Sequence, residues 1–300
     1  MRSGATGWIG AVARIAAYAG LLVALGIVLG TLWRMLPDAV HEVAFLESVV
    51  TAAAALLAGA LLIRGIDGRP VAALGIALTP AALRHAGIGV MIGVAGLLTA
   101  VAALLLSGSL AYAGQQGTGG AWIAAVAAQA GIFTAAALAE EAVFRGYGFQ
   151  VLARAGGPVA ATVVSAVLFA LAHGANPSVG VFALVNIFLA GILLAIAYLR
   201  TLSLWFATAV HMGWNWAMAT LFDLPVSGLE MFDTPLYEPV VGGPEWWSGA
   251  RFGPEGGLVG TIGFTVALLV IIRWRGVQPD PAIAAARPLM LRSEEESNAG

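Results

Sequence analysis

Cysteine is absent from this 300-residue chain, and so is lysine. Without cysteine there is no disulfide framework, no thiolate zinc site and no cysteine nucleophile. All fourteen basic residues are arginine, an absence of lysine to which no chemistry attaches. Charge of either sign is scarce: charged residues make up 10% of the chain, against roughly a quarter in a soluble domain. Hydrophobic residues make up 60% and the mean hydropathy is +0.91. This composition predicts an all-α protein, a polytopic membrane helical bundle with the lipid bilayer as its solvent. The net charge of −2 gives no sign of nucleic-acid binding.

Apolar runs of about 17 to 25 residues are long enough to cross a bilayer. They place eight transmembrane helices near residues 12–33, 43–63, 86–107, 126–152, 158–176, 179–199, 203–222 and 257–273. The first run has a basic start but no small-residue cleavage site, so it reads as a retained anchor. With Arg145 set aside as a site candidate, one set of loops and termini holds Arg2, Arg14, Arg64, Arg69, Arg84, Arg154, Arg200, Arg273, Arg275, Arg287 and Arg292, and the other only Arg34 and Arg251. That positive-inside bias places both termini in the cytoplasm of a bacterial-type plasma membrane, as an even span count also requires.

The chain divides into a three-span region over 1–120, a motif-bearing core over 121–222, an acidic extracytoplasmic loop over 223–256, a last span over 257–275 and a tail over 276–300 that reads as disordered. Residues 108–120 read as a flexible outer loop. The long loop carries Asp223, Glu230, Asp233, Glu238, Glu245 and Glu255 beside Trp246 and Trp247, the pattern of a solvated acidic segment with interfacial tryptophans. Gly26 with Gly30, and Gly89 with Gly93, are spaced for close helix packing. No internal repeat is visible, which counts against an inverted-repeat transporter.

Against this background Glu140, Glu141 and Arg145 stand out, two acids and a base inside one apolar run. A charged side chain at bilayer depth costs about 2.5 to 3.5 kcal/mol on insertion scales, so such groups persist where they are paired or functional. Glu141 and Arg145 share a helix face at i,i+4. Two histidines fall within spans: His173, four residues after Phe169, and His211, with Asn215 one turn later. His41 and His85 fall in loops and read as surface residues. At 1.5 Å rise per residue, Glu140, His173, His211 and Asn215 lie roughly 18, 22, 12 and 18 Å from the predicted cytoplasmic ends, one common band of the core. Their convergence requires the fourth helix to run on through Arg145 and Gly146 to about Leu152.

The ordered set Glu140-Glu141-Ala-Val-Phe-Arg145, Phe169-Ala-Leu-Ala-His173 and His211-Met-Gly-Trp-Asn215 resembles the three motifs of the CPBP family, which includes the type II CAAX prenyl endopeptidases and bacterial relatives in bacteriocin processing and self-immunity. The resemblance covers residues 126–222. It implies an intramembrane endopeptidase acting on a membrane-associated peptide or protein substrate, whether of CAAX type or leader-like. The family's usual description as metalloproteases implies a divalent metal, zinc above all, with Glu140, His173 and His211 as candidate ligands.

The residue types agree with amide hydrolysis, which needs a base for water, donors for the developing oxyanion and an acid for the leaving amine. Glu140 is the candidate base with His173 helping to hold the water, His211 and Asn215 stabilise the oxyanion, and Glu141 with Arg145 forms a supporting ion pair. Neighbouring glutamates point about 100° apart on a helix, so only one addresses the water, and the residue types alone leave open which. The same groups work with or without a metal, and HExxH is absent. No predicted span contains an aspartate, which excludes a paired-aspartate protease, and no GxSxG elbow is present. The competing readings are a non-catalytic immunity or partner-binding protein of the same fold, a proton-coupled transporter, and a bis-histidine haem protein.

Overall fold

The computed structural model describes residues 3–36, 46–114, 117–230 and 235–291. Its helices are α1 (Ser3–Arg34), α2 (Leu46–Gly65), α3 (Pro80–Leu106), α4 (Gly119–Arg145), α5 (Tyr147–Ala172), α6 (Val181–Thr201), α7 (Leu204–Trp216), α8 (Glu245–Ser248), α9 (Leu258–Arg273) and α10 (Pro281–Ala285). Against the eight expected spans, five stretches among the described residues are long and apolar enough to cross a membrane; the fourth and fifth expected spans fall in one of them, Gly119–Ala172, and α7 and α9 are shorter. The all-α membrane bundle read from composition is therefore the fold.

α7 is the central helix. All but one of its residues from Leu204 to Trp214 are buried, as befits a helix apolar on every side, and it runs on into a single π turn at Ala217–Leu221. α3 lies against it at a distance only glycine permits. A Cβ on Gly89 would stand 2.7 Å from the Ala209 Cβ, and one on Gly93 would stand 2.2 Å from the Val210 carbonyl oxygen. The same spacing on α1 does nothing comparable: Gly26 and Gly30 meet no atom within 4 Å. α1 is the peripheral helix, held by Tyr18, whose hydroxyl donates to the Ala142 carbonyl at 3.0 Å.

Four expectations are corrected. The fourth helix does not continue to Leu152. It ends at Arg145, because Gly146 leaves helical geometry (φ −73°, ψ −139°) at a point where a Cβ would lie 2.2 Å from the Ala142 carbonyl oxygen. α5 starts again at Tyr147 and is interrupted by Gly157 (φ 85°) before Pro158. Gln150 in its first turns is fully buried, donating to the Ala73 carbonyl and the Tyr198 hydroxyl.

His85 is not a surface loop residue. α3 begins at Pro80, with Thr79 capping the Ala82 N–H, so His85 is helical, wholly buried and edge-on to Phe206 at 5.7 Å. His41 lies outside the described residues.

The tail is ordered as far as residue 291. Asp280 caps α10 and accepts from Thr79 at 2.7 Å, Ile283 and Leu289 are buried, and the Leu289 N–H satisfies the Gln150 side-chain oxygen at 2.8 Å. Residues 292–300 lie outside the described part. The loop over 108–120 contains β1 (Leu110–Ala113), antiparallel to β2 (Glu238–Val241); backbone pairing with the long loop replaces the expected flexibility there.

Candidate active site

The first wall of the site is built by α4 and α5. Glu141 and Arg145, one turn apart on α4, are both completely buried and meet at 3.1 Å. Arg145 Nη2 donates to the Gly191 carbonyl on α6 at 3.0 Å, and the guanidinium lies over the face of Phe169, whose ring centre is 4.6 Å from the Arg145 Cζ. A cation over an aromatic face in a desolvated setting is worth on the order of 2 kcal/mol. Phe169 also packs against His173 at 4.6 Å and edge-on against His211 at 5.9 Å. The aromatic of the FxxxH pattern thus lies between the buried cation and both imidazoles.

Each histidine is fixed through Nδ1. His173, just past the end of α5, directs Nδ1 to the Phe169 carbonyl at 2.8 Å. His211, in the middle of α7, directs Nδ1 to Glu141 Oε1 at 3.0 Å. Both partners are acceptors, so Nδ1 carries the proton in each ring and Nε2 is left with its lone pair when the ring is neutral. Both Nε2 atoms face Glu140 Oε2, at 3.9 Å from His173 and 3.8 Å from His211. Glu140 Oε2 is itself buried and has no hydrogen-bond partner in the protein. Three acceptor atoms turned toward one another require something between them that donates: a proton, a water or a cation.

Glu140, His173 and His211 thus converge although α4 stops at Arg145, because the turns that carry Glu140 and Glu141 remain helical. The two glutamates separate as their spacing predicts. Glu141 is wholly buried in its ion pair, while the Glu140 side chain is 35% exposed. Asn215 lines the cavity beside His173 and His211.

As a metal centre the arrangement has suitable donors in kind, two imidazoles and a carboxylate. Ligands about 2.0–2.1 Å from a tetrahedral zinc stand roughly 3.3 Å from one another, closer than the separations here, and among the described residues no group of three or more His, Cys, Asp or Glu is arranged to hold a metal ion.

The second wall comes from the long loop, where sequence reading found only solvated acids. Glu255 is buried at 4% exposure, in a short turn before α9. Its Oε1 accepts from Trp214 Nε1 at 3.0 Å, and its Oε2 accepts from the Ser227 N–H at 2.9 Å and the Ser227 hydroxyl at 2.6 Å. Asn186 on α6 donates to the backbone carbonyls of Glu255 and Gly257, both at 2.8 Å, and accepts from Thr261 at 2.6 Å. Burial pushes the Glu255 carboxyl above the usual carboxylate range, with the Ser227 hydrogen bonds opposing that rise. An amide inside the apolar run 179–199 was a sequence signal for Asn186; nothing in the sequence distinguishes Glu255 from the other acids of its loop.

Between the walls lies a cavity of about 30 Å³, lined by His173, His211, Trp214, Asn215, Ser227 and Glu255 and by apolar residues including Ile187, Leu194 and Phe264. One water occupies about 10–15 Å³ on this measure, so one or two fit. Glu140 is not among its lining residues, although its Oε2 stands within 4 Å of both histidines that line it.

Residues 121–217 match the family model described as Type II CAAX prenyl endopeptidase Rce1-like, a span that contains all three motifs. No curated protein and no solved structure matches the chain.

Proposed function

We propose that this chain, whose residues 121–217 match the family model described as Type II CAAX prenyl endopeptidase Rce1-like, is an intramembrane endopeptidase that uses a glutamate-activated water to cut a membrane-associated peptide or protein. The observation that carries this reading is the approach of both histidine Nε2 atoms to Glu140 Oε2, an orphaned carboxylate oxygen in a protein interior.

In this reading a water held between Glu140 and His173 gives its proton to Glu140 as its oxygen attacks the scissile carbonyl. His211 and Asn215 hold the oxygen on which charge develops. His211 does so with Nε2 protonated, while Glu141 receives its Nδ1–H and Arg145 holds Glu141 in place through their ion pair. Glu140 then returns the proton to the leaving amine. Metal analysis of the purified chain decides whether a cation also joins these atoms.

The arginine distribution supports cytoplasmic termini; reporters fused after Gly300 and inserted near Gly243 should read cytoplasmic and external. The functional test is cleavage of an internally quenched prenylated CAAX peptide by the chain in lipid nanodiscs. Turnover by the native chain that is lost in Glu140→Gln supports the reading. A folded native chain that cleaves neither this peptide nor leader-type membrane peptides would move a non-catalytic binding role to the front.

A further inference from the structure

We propose that Glu255 is a positioning residue of the site, holding Trp214 and with it the turn of α7 that presents His211 and Asn215 to the cavity. This inference rests on the peptidase reading for its kinetic consequences, but the geometry stands by itself. Trp214 is the residue immediately before Asn215 and lies within one turn of His211. Its indole is pinned at two points. The ring stacks on Phe264 of α9 at 4.3 Å, and its N–H reaches Glu255 at 3.0 Å.

Glu255 in turn cannot move independently. Its second oxygen is held by both donors of Ser227, and its backbone carbonyl by Asn186. Gly228 and Gly253, which flank this knot at positive φ, leave no room for a Cβ: one would stand 2.0 Å from the Pro177 carbonyl oxygen and the other 2.0 Å from the Pro225 carbonyl oxygen. The loop after α7 therefore folds back as a rigid strut that fixes the rotation of α7 at the level of the cavity. Among the described residues Glu255 has no arginine partner, unlike Glu141.

The chemistry of the glutamine variant makes the idea testable. Oε2 accepts two hydrogen bonds from Ser227 and Oε1 accepts one from Trp214. A glutamine has one carbonyl oxygen, which takes the two Ser227 donors and turns its NH2 toward the indole N–H. Glu255→Gln therefore breaks the bond to Trp214 with side-chain volume unchanged, and Trp214→Phe breaks it with an aromatic ring kept beside Phe264 but the pyrrole part of the buried indole lost.

In nanodiscs, on the quenched prenylated CAAX peptide, each variant should lower kcat by about 10-fold, as small displacements of catalytic groups do, with KM within about twofold of native. The double variant should be no slower than the worse single one. Thermal unfolding should show all three folded. Losses that multiply in the double variant, a change confined to KM, or folded single variants of native kcat would overturn the proposal. If Glu255→Gln does not fold, Trp214→Phe decides by kcat on folded protein and not by unfolding temperature, which the lost indole volume lowers by itself.

If the native chain cleaves nothing, the peptidase reading fails, and thiol labelling decides the role of Glu255 without it. In this cysteine-free chain, Asn215→Cys should react with a methanethiosulfonate reagent at a rate that changes several-fold when Trp214→Phe is added. A cysteine at Ala111 on exposed β1 should show no change. An unchanged rate at position 215 would leave Glu255 as a strut for the loop alone.

Discussion

The two walls of the site are made of different materials. The helix wall holds its buried carboxylate, Glu141, with charge: Arg145 four residues away and the imidazole of His211. The loop wall holds its buried carboxylate, Glu255, with neutral donors brought from 28 and 41 residues away, the hydroxyl and N–H of Ser227 and the indole N–H of Trp214. A full counter-charge lets a carboxylate stay ionised in a dry interior, whereas neutral donors offset only part of its desolvation. The helix wall can therefore fix a charge pattern for catalysis, and the loop wall fixes shape.

That contrast can be broken most severely at Arg145. Arg145→Ala leaves Glu141 buried with only the His211 imidazole as partner and removes the cation from the face of Phe169, so a loss of about 3–5 kcal/mol is expected. It should appear as low folded yield and early unfolding in detergent rather than as a clean loss of turnover. A folded variant of native stability would mean that the ion pair with Arg145 contributes nothing to holding Glu141.

Between the walls, Gly93→Ala forces a methyl group against the Val210 carbonyl oxygen and separates α3 from α7. A cost of about 1–3 kcal/mol in thermal stability follows from overpacking. On the loop wall, Ser227→Ala removes the hydroxyl from Glu255 but leaves the Ser227 N–H in place, so about 1–2 kcal/mol is expected. A larger loss than for Arg145→Ala would reverse the ranking of the two walls. The smallest effect belongs to Gly30→Ala on α1, where the added methyl meets nothing; a change within about 0.5 kcal/mol is expected, and a large one would reveal a partner for the exposed face of α1.

The same contrast explains what the sequence disclosed. Apolar runs report lipid burial directly, so the helical membrane bundle was readable, and charges are so costly at depth that Glu140, Glu141 and Arg145 marked themselves. The site histidines were readable because each shares a helical turn with another motif residue. Glu255 was hidden because an acid in a loop is ordinarily solvated, and its burial depends on partners far away in the chain. The break at Gly146 was hidden for a related reason. Glycine is common in this chain, and only the nearby Ala142 carbonyl makes this one indispensable. The two pairs of glycines spaced by four look alike in sequence, yet one seats α3 on α7 and the other faces no atom, a difference that lies wholly in the neighbouring helix.

The most direct test concerns the atom on which both histidines converge. Glu140→Gln preserves volume and hydrogen bonding while removing the proton acceptor, and the loss of a general base costs on the order of 10² to 10⁴ in rate. Measured beside Glu141→Gln, on folded protein and the quenched prenylated CAAX peptide, Glu140→Gln should reduce kcat by that factor with an unchanged unfolding temperature. Glu141→Gln should lower stability as well as rate. Full activity in folded Glu140→Gln would contradict a glutamate-activated water at this site, and full activity there combined with a clean catalytic loss in Glu141→Gln would move the base to Glu141.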